Sequence, residues 1–152
     1  NGEYAERRAQ VQHATQWHAQ VSGTPPEPFT VQIRRQLSTA EVPAGFRSFV
    51  GESVELVQTE HWDGKSARIE IAATNHPVRA SGTAIMSADG AGTTLTLAGD
   101  VVASVPLFGH RVEKAIVDAL DQVFGHEAKV AATWLAEQGP MQPTVGPPPS
   151  NK

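Results

Sequence analysis

The sequence predicts an α+β fold in which a strongly curved antiparallel sheet wraps around one long C-terminal helix. Three observations support this prediction. Apolar and polar residues alternate in six segments up to residue 105, short turns separate most of these segments, and the apolar period becomes helical after Pro106. A sheet with one apolar face needs a partner that covers it, and the long helix is the one large element that the sequence supplies.

The chain begins with helix formers and then changes to strands. Glu3–Gln10 predicts the last turns of a helix because it contains good helix formers and no breaker. Residues 11–21 alternate with a period of two, and their Thr, Trp and Val favour a strand over a helix, which is the competing interpretation. The same alternation predicts five further strands, at Phe29–Leu37, Ser53–Trp62, Lys65 or Ser66 to Thr74, Val78–Met86 and Thr93–Val105.

Turn residues connect most of these strands into a meander. Asp63-Gly64 and Asp89-Gly90 are hairpin signals, because glycine adopts the positive φ that two-residue hairpin turns require. Residues 38–50 differ, because Pro43 suits the first turn of a helix and the following aromatic residues have helical spacing. We expect a short amphipathic helix there, at one end of the sheet.

The C-terminal part predicts a long amphipathic helix over Leu107–Glu137, with one broad apolar stripe and a bend at Gly125. Small inner residues on the fifth strand, such as Gly82, would let this helix approach the sheet closely. Residues 139–152 contain too many prolines and too few apolar residues to pack, which predicts a disordered tail. The expected organisation is one domain at residues 1–138 followed by that tail.

Composition excludes several function classes. The chain has 152 residues and no cysteine, which excludes a thiol nucleophile, a cysteine zinc site and a disulfide scaffold. No apolar run is long enough to cross a bilayer. With 12 basic and 16 acidic residues, nothing in the composition suggests the basic face that nucleic-acid binding normally needs, so we expect no nucleic-acid partner. No signal-peptide pattern precedes the first helix, and the expected location is the cytoplasm.

Three stretches carry a resemblance to a known family: FVGESVELVQTEHW at residues 49–62, SGT at 81–83 and VPLFGHRVEK at 105–114. With the six-strand meander and the long helix, they resemble the helix-grip fold of the SRPBCC superfamily, which includes START domains, polyketide cyclases and pollen-allergen-type carriers. More narrowly, they resemble a DUF2505-like actinobacterial family of unknown function. The resemblance covers nearly all of residues 3–137. It implies a cavity between sheet and helix that holds a lipid-, sterol- or polyketide-like molecule.

The resemblance also implies a first strand that this chain lacks. Folds of this type begin with a strand and a helical lead-in, and here only the end of the lead-in precedes Gln10. If that strand is absent from the molecule, the sheet has an open edge that invites self-association or a partner, and if it is only cropped from the chain, nothing follows.

Polar residues on the inner face of the sheet are the candidate ligand contacts. Strand parity directs Arg35 toward the apolar side, and Gln58 and Glu60 share a face with Trp62. A buried arginine needs a partner or a ligand anion. The alternative interpretation is that Arg35 and Glu60 form a structural pair. The predicted ligand-binding set comprises polar and aromatic residues of the sheet with apolar residues of the helix, namely His13, Trp17, Arg35, Gln58, Glu60, Phe108, Val112 and Ile116.

No motif identifies a reaction. His110 and Glu113 lie one helical turn apart, but no three residues have zinc-site spacing, so we expect no metal or other cofactor. The leading hypothesis is therefore a binder of a small hydrophobic molecule. A second hypothesis is a cyclase- or dehydratase-like enzyme that uses His13, Arg35 and Glu60 to polarise a carbonyl and move a proton. A third is a structural or protein-interaction module.

Overall fold

The computed structural model of the protein describes residues 1–10, 14–40, 47–48, 51–90, 92–105, 107 and 109–138. They form a six-stranded antiparallel sheet that is not closed, with one helix before it and one long helix after it. This arrangement confirms the predicted α+β class. In chain order the elements are α1 (Gly2–Ala9), β1 (Ala14–Ser22), β2 (Phe29–Ser38), β3 (Ser53–Asp63), β4 (Ser66–Ala73), β5 (Val78–Asp89), β6 (Gly92–Ala103) and α2 (Gly109–Gln138).

The sheet is a simple meander in which each strand pairs with the next one along the chain, so that β1 and β6 are its two edges. The predicted hairpin between β3 and β4 turns at Gly64, whose φ of 58° lies in the left-handed region that glycine adopts without strain. In the turn between β1 and β2, the Pro25–Pro26 peptide bond is cis.

The strand register brings inward-facing residues of neighbouring strands together in rows. One row runs across the sheet from Ile33 through Gln58 and Ile71 to Ala80. The next row contains Glu60. These rows agree with the inner and outer faces that the alternation of apolar and polar residues predicts. A register shift of one residue would instead have turned the inward-facing side chains of a strand outward.

Helix α2 crosses the inner face of the sheet. Near its start, the Glu113 carboxylate accepts a hydrogen bond from the backbone N–H of Ala103 at the end of β6. In its middle, Leu120 and Phe124 pack against the buried cluster of β4 and β5. Further along, Glu127 bonds to Arg35 on β2. The helix therefore contacts the sheet from the β6 edge to β2.

Helix α1 covers the other end of the sheet. Its buried residues, Ala5 and Ala9, pack with Ala19, Val31 and Ile33 of β1 and β2. The buried residues of this cluster differ from those of the cluster beneath α2, and the half-buried Trp62 packs against both clusters. Sequence and structure agree on α1, since the predicted segment was Glu3–Gln10.

Parts of the sequence prediction fall outside the described residues. These parts are the start of the first strand, most of the helix expected within 38–50 and the tail at 139–152, so the domain boundary stays a prediction. The predicted long helix is present and continues through Gly125 to Gln138. None of the helices in the described part of the chain combines the length and apolar character that crossing a bilayer requires.

Gly82 and Gly99 face each other where β5 and β6 approach closely. A Cβ atom on Gly82 would lie 2.3 Å from the carbonyl oxygen of Ala98, and one on Gly99 would lie 2.3 Å from that of Ser81. Both obstacles belong to the backbone of the neighbouring strand and cannot rotate away. The requirement for glycine at position 82 thus comes from β6, and not from the helix as the sequence suggested.

We predict that Gly82→Ala destabilises the protein by about 1–3 kcal/mol or more, because its methyl group would force β5 and β6 apart. Gly125→Ala is the matched control. A Cβ atom there meets nothing within 4 Å, and alanine in a helix gains about 0.8–1.0 kcal/mol over glycine. Urea unfolding followed by circular dichroism measures both, and a Gly82→Ala protein as stable as the wild type would contradict the close approach.

Candidate functional site

Four charged side chains lie between α1, the sheet and α2. We call Arg8, Arg35, Glu60 and Glu127 the buried ion network. Arg35 is 2% exposed and Glu60 is 1% exposed. Glu127 is also buried, and it is the buried residue among those described in α2. Charges in such a place are tolerated only when they are paired and hydrogen-bonded.

Arg8 joins the two carboxylates of the network. Its Nε donates to Glu127 Oε2 at 3.1 Å, and its Nη2 donates to the same oxygen at 2.7 Å. Its Nη1 donates to Glu60 Oε2 at 3.2 Å, while Nη2 also donates to Glu60 Oε1. One guanidinium thereby connects α1 to β3 and to α2.

Arg35 holds the C-terminal end of α1. Its Nε donates to the carbonyl oxygen of Ala9 at 3.1 Å, and its Nη2 donates to that of Arg8 at 2.8 Å. Carbonyl groups in the last turn of a helix have no partner inside the helix, and a cation there also interacts favourably with the helix dipole. The same Nη2 donates to Glu127, so Arg35 connects α1 to α2 as well.

Two neutral side chains complete the network. Gln58 accepts from Arg35 Nη1 at 2.8 Å and donates to Glu60 Oε1 at 2.6 Å, which links these two charged residues. Trp62 Nε1 donates to Glu60 Oε2 at 2.8 Å. The two positive and two negative charges of the network balance, and both carboxylates accept hydrogen bonds from side chains of the protein.

The electrostatic environment keeps Glu60 ionised. Burial by itself raises the pKa of Glu60, but the positive charge of Arg8 and the hydrogen bonds from Arg8, Trp62 and Gln58 outweigh it and hold the pKa below its ordinary value. Burial lowers the pKa of Arg8, and the opposing charges of Glu127 and Glu60 raise it above its ordinary value. Both groups are therefore charged at neutral pH.

A cavity of about 220 Å³ lies elsewhere, between α2 and the inner face of β4 to β6. Its interior is apolar, with Ile69 and Ile71 of β4 buried beneath it. On the open side, Val117 is 43% exposed and Leu97 is 37% exposed. We call this space the β5–β6 cavity. It is lined by residues of three strands and of α2, namely Ile69, Ile71, Ala80, Ser81, Gly82, Thr83, Leu97, Ala98, Gly99, Asp100, Val101, Val117, Leu120, Asp121 and Phe124.

The described members of the predicted ligand-binding set do not line this cavity. Arg35, Gln58 and Glu60 belong to the buried ion network, where their polar groups bond to the protein. Trp17 is 41% exposed on β1, where it pairs with Arg35 across the sheet.

The remaining members of the predicted set lie on α2 or outside the described residues. Val112 and Ile116 are half-buried on α2, close in sequence to the cavity residue Val117. His13 and Phe108 fall outside the described residues.

Sequence reasoning missed the two residues that complete the network. Arg8 belongs to a segment that reads as an ordinary solvated helix end. Glu127 carried a usable signal, because it lies three residues after Phe124 and seven after Leu120, on the apolar stripe of α2. A single carboxylate on such a stripe indicates a buried partner of opposite charge.

Metal ions require several ligating side chains grouped together. Among the residues that the structure describes, no three His, Asp or Glu side chains are grouped as metal ligands.

Comparison with known proteins yields one finding. The family model of DUF2505, a protein of unknown function, matches residues 1–135. No curated protein matches the chain, and no solved structure matches it either.

We predict that Glu127→Gln destabilises the fold by about 3–5 kcal/mol, because it leaves two buried arginines to share one carboxylate. Glu137→Gln is the control, since it removes a carboxylate from the same helix whose partner, Arg7, is exposed. Urea unfolding compares the two variants. Equal midpoints would show that the network adds nothing beyond a surface pair.

We also predict an acid-dependent loss of stability that Glu60 causes. Because its native pKa lies below the ordinary value of 4.5, the ionised group stabilises the fold above that pH, and this contribution is lost as the pH falls through the native pKa. Glu60→Gln should lower stability at neutral pH and flatten the decline below about pH 4.5, by at most about 1.4 kcal/mol per pH unit. Parallel stability curves for both proteins would contradict this assignment.

Proposed function

We propose that the chain, which belongs to the DUF2505 family, binds a small hydrophobic molecule in the β5–β6 cavity. The observation that carries this proposal is an open space of about 220 Å³ with an apolar interior, bounded by half-exposed aliphatic side chains. Ligand sites in proteins are typically concave, mostly apolar and few in number.

The volume limits the size of the ligand. Drug-sized ligand pockets span about 300–1,000 Å³, so this cavity is small. An apolar cavity of about 150 Å³ holds one benzene molecule. A space of about 220 Å³ therefore suits a molecule of about two fused rings, or a compact aliphatic group of similar volume.

The lining explains why an apolar molecule would be favoured. Leu120 and Phe124 of α2 line the space and pack against the cluster that contains Ile69 and Ile71 of β4. A ligand there would also cover Val117, whose side chain is otherwise exposed to water. Each Å² of apolar surface that the ligand and these side chains remove from water contributes roughly 25 cal/mol.

The buried ion network supports binding by fixing α2 beside the cavity. Glu127 lies one turn after Phe124 and is bonded to Arg8 and Arg35. With α2 held at that point, the cavity exists before a ligand arrives, and a preformed site avoids the cost of ordering side chains on binding.

Binding fits the observations better than catalysis by the same inner-face residues. Arg35 and Glu60 are buried, and their polar groups bond to protein atoms in the network. A reaction at these groups would require a substrate to displace several charge-assisted hydrogen bonds. The resemblance to the helix-grip fold of the SRPBCC superfamily agrees with a carrier of apolar molecules.

The direct test is NMR of the protein with methyl-labelled Ile, Leu and Val, titrated with the neutral bicyclic probe 1-naphthalenemethanol. We expect the methyl signals of Ile69, Ile71 and Leu120 to shift in a saturable way. Val31 and Ile33 lie in the cluster beneath α1 and serve as internal controls whose signals stay in place. Unchanged cavity signals, or equal shifts in both clusters, would overturn the proposal.

We predict that Val117→Trp weakens binding of this probe by about tenfold or more, because the indole ring would occupy the open side of the cavity. Ala119→Trp is the matched control, since Ala119 is exposed on the same helix and does not line the cavity. The same titration measures both variants. Full binding by Val117→Trp would place the probe elsewhere.

A further inference from the structure

Part of the β5–β6 cavity is walled by backbone without side chains. Gly82 of β5 and Gly99 of β6 both line the cavity, and they lie directly opposite each other in the strand register. Residues in such a pair lie side by side on one face of the sheet. The pair belongs to the inward-facing row that continues to Ile69 on β4. We call these two glycines the glycine floor.

Side chains cannot be added to the glycine floor. A Cβ atom on Gly82 would lie 2.9 Å from the Cα atom of Gly99, and one on Gly99 would lie 2.8 Å from that of Gly82. Van der Waals contacts between carbon atoms are about 3.5–4.0 Å long, so the two backbones leave no room for a methyl group. The cavity wall at this point therefore stays at the level of the backbone.

Apolar side chains border the glycine floor. On β6, Leu97 and Val101 lie two residues to either side of Gly99 on the same face, and both line the cavity. They are about 14 Å apart along the strand, because a strand rises about 3.4 Å per residue. On β4, Ile69 borders the floor from the neighbouring strand. The floor is thus a recess in an apolar lining, with room for a fused-ring system to lie flat.

Helix α2 forms the other side of the cavity. Val117, Leu120 and Phe124 line it from the helix, and Phe124 also packs against the buried cluster of β4 and β5. A molecule in the cavity therefore has an aromatic ring on its helix side and the glycine floor on its sheet side. Aromatic rings favour offset-stacked or edge-to-face contacts with one another, at centroid distances of about 4.5–7 Å.

We propose that the ligand carries a planar aromatic ring system, which lies with one face on the glycine floor and contacts Phe124 from the other side. This inference rests on the proposed function and names the class of ligand. A flat ring can touch a wall of bare backbone over its whole face. A puckered saturated ring or an acyl chain touches such a wall at few atoms, and gaps of about 0.5–1 Å already forfeit a quarter to a half of each contact. Saturated molecules are therefore not the preferred occupants.

The expected preference is opposite in sign to the one that the hydrophobic effect alone would give. A saturated bicyclic molecule has more apolar surface than its aromatic counterpart, so burial alone favours the saturated molecule. A contact between two aromatic rings raises affinity by roughly two- to tenfold beyond the effect of buried area. With the closer fit to the glycine floor, an aromatic bicyclic probe should bind about three- to tenfold more tightly than the saturated one.

Two neutral alcohols with the same carbon skeleton test this preference in the methyl NMR titration. They are 1-naphthalenemethanol, which is planar, and trans-decahydro-1-naphthalenemethanol, which is saturated and puckered. We expect the planar alcohol to bind more tightly. Equal affinities, or tighter binding of the saturated alcohol, would overturn the planar ligand.

The α protons of the glycine floor report how the ring lies, without any substitution in the protein. An aromatic ring shields protons above its face and deshields protons at its edge. The α-proton signals of Gly82 and Gly99 should therefore move upfield when 1-naphthalenemethanol binds and move little with the saturated alcohol. Gly64 in the hairpin between β3 and β4 is the internal control. Unchanged or downfield signals would contradict a ring that lies flat on the floor.

A variant of Phe124 tests the contact on the helix side. Phe124→Leu should reduce the advantage of the planar alcohol to about twofold or less, because it removes the aromatic partner and keeps an apolar side chain. Phe29→Leu is the matched control, since Phe29 stacks on Trp62 at a centroid distance of 6.3 Å and does not line the cavity. An equal loss of the advantage in both variants would overturn the contact with Phe124.

The two proposals fail in different ways. If both alcohols shift the methyl signals of the cavity but the planar one binds no more tightly, the planar ligand is wrong and the hydrophobic site remains. If neither alcohol shifts these signals, the site itself is wrong.

Discussion

Arg8 and Arg35 place two guanidinium groups inside the protein, and the fold has to supply two carboxylates at the same point. Glu60 comes from β3 and Glu127 from α2, while the arginines come from α1 and β2. Because a buried charge without its partner costs several kcal/mol, α1, the sheet and α2 are stable only when they meet. Apolar packing alone, which has no direction, would not select one position of α2 along the sheet.

The same constraint separates the charged part of the inner face from the apolar part. Near β2 and β3 the space under α2 is filled by side chains bonded to one another. Over β5 and β6, where Gly82 and Gly99 have no side chains, a cavity of about 220 Å³ remains. The inner-face charges thus hold the helix, and the unfilled space beside it is the site that we propose for a ligand.

Local patterns carry most of the fold. The alternation of apolar and polar residues places Arg35, Gln58 and Glu60 on the inner face of the sheet, and Asp63-Gly64 marks the hairpin between β3 and β4. Both features can be predicted because strand alternation and turn chemistry depend on neighbouring residues alone. Arg8 was missed because its partner Glu127 is 119 positions away, and no local pattern encodes that distance. The sequence prediction put the ligand contacts around Arg35, whereas the β5–β6 cavity lies over β4 to β6, at a position that depends on where α2 crosses the sheet.

A crystal structure of the protein with bound 1-naphthalenemethanol tests the central claim most directly, because it shows the charged network and the cavity in one experiment. We predict density for the probe between Phe124 and the inner face of β4 to β6, with the bonds of Arg8 to Glu60 and Glu127 unchanged. Density for the probe among those charged side chains, with the network opened, would contradict the account.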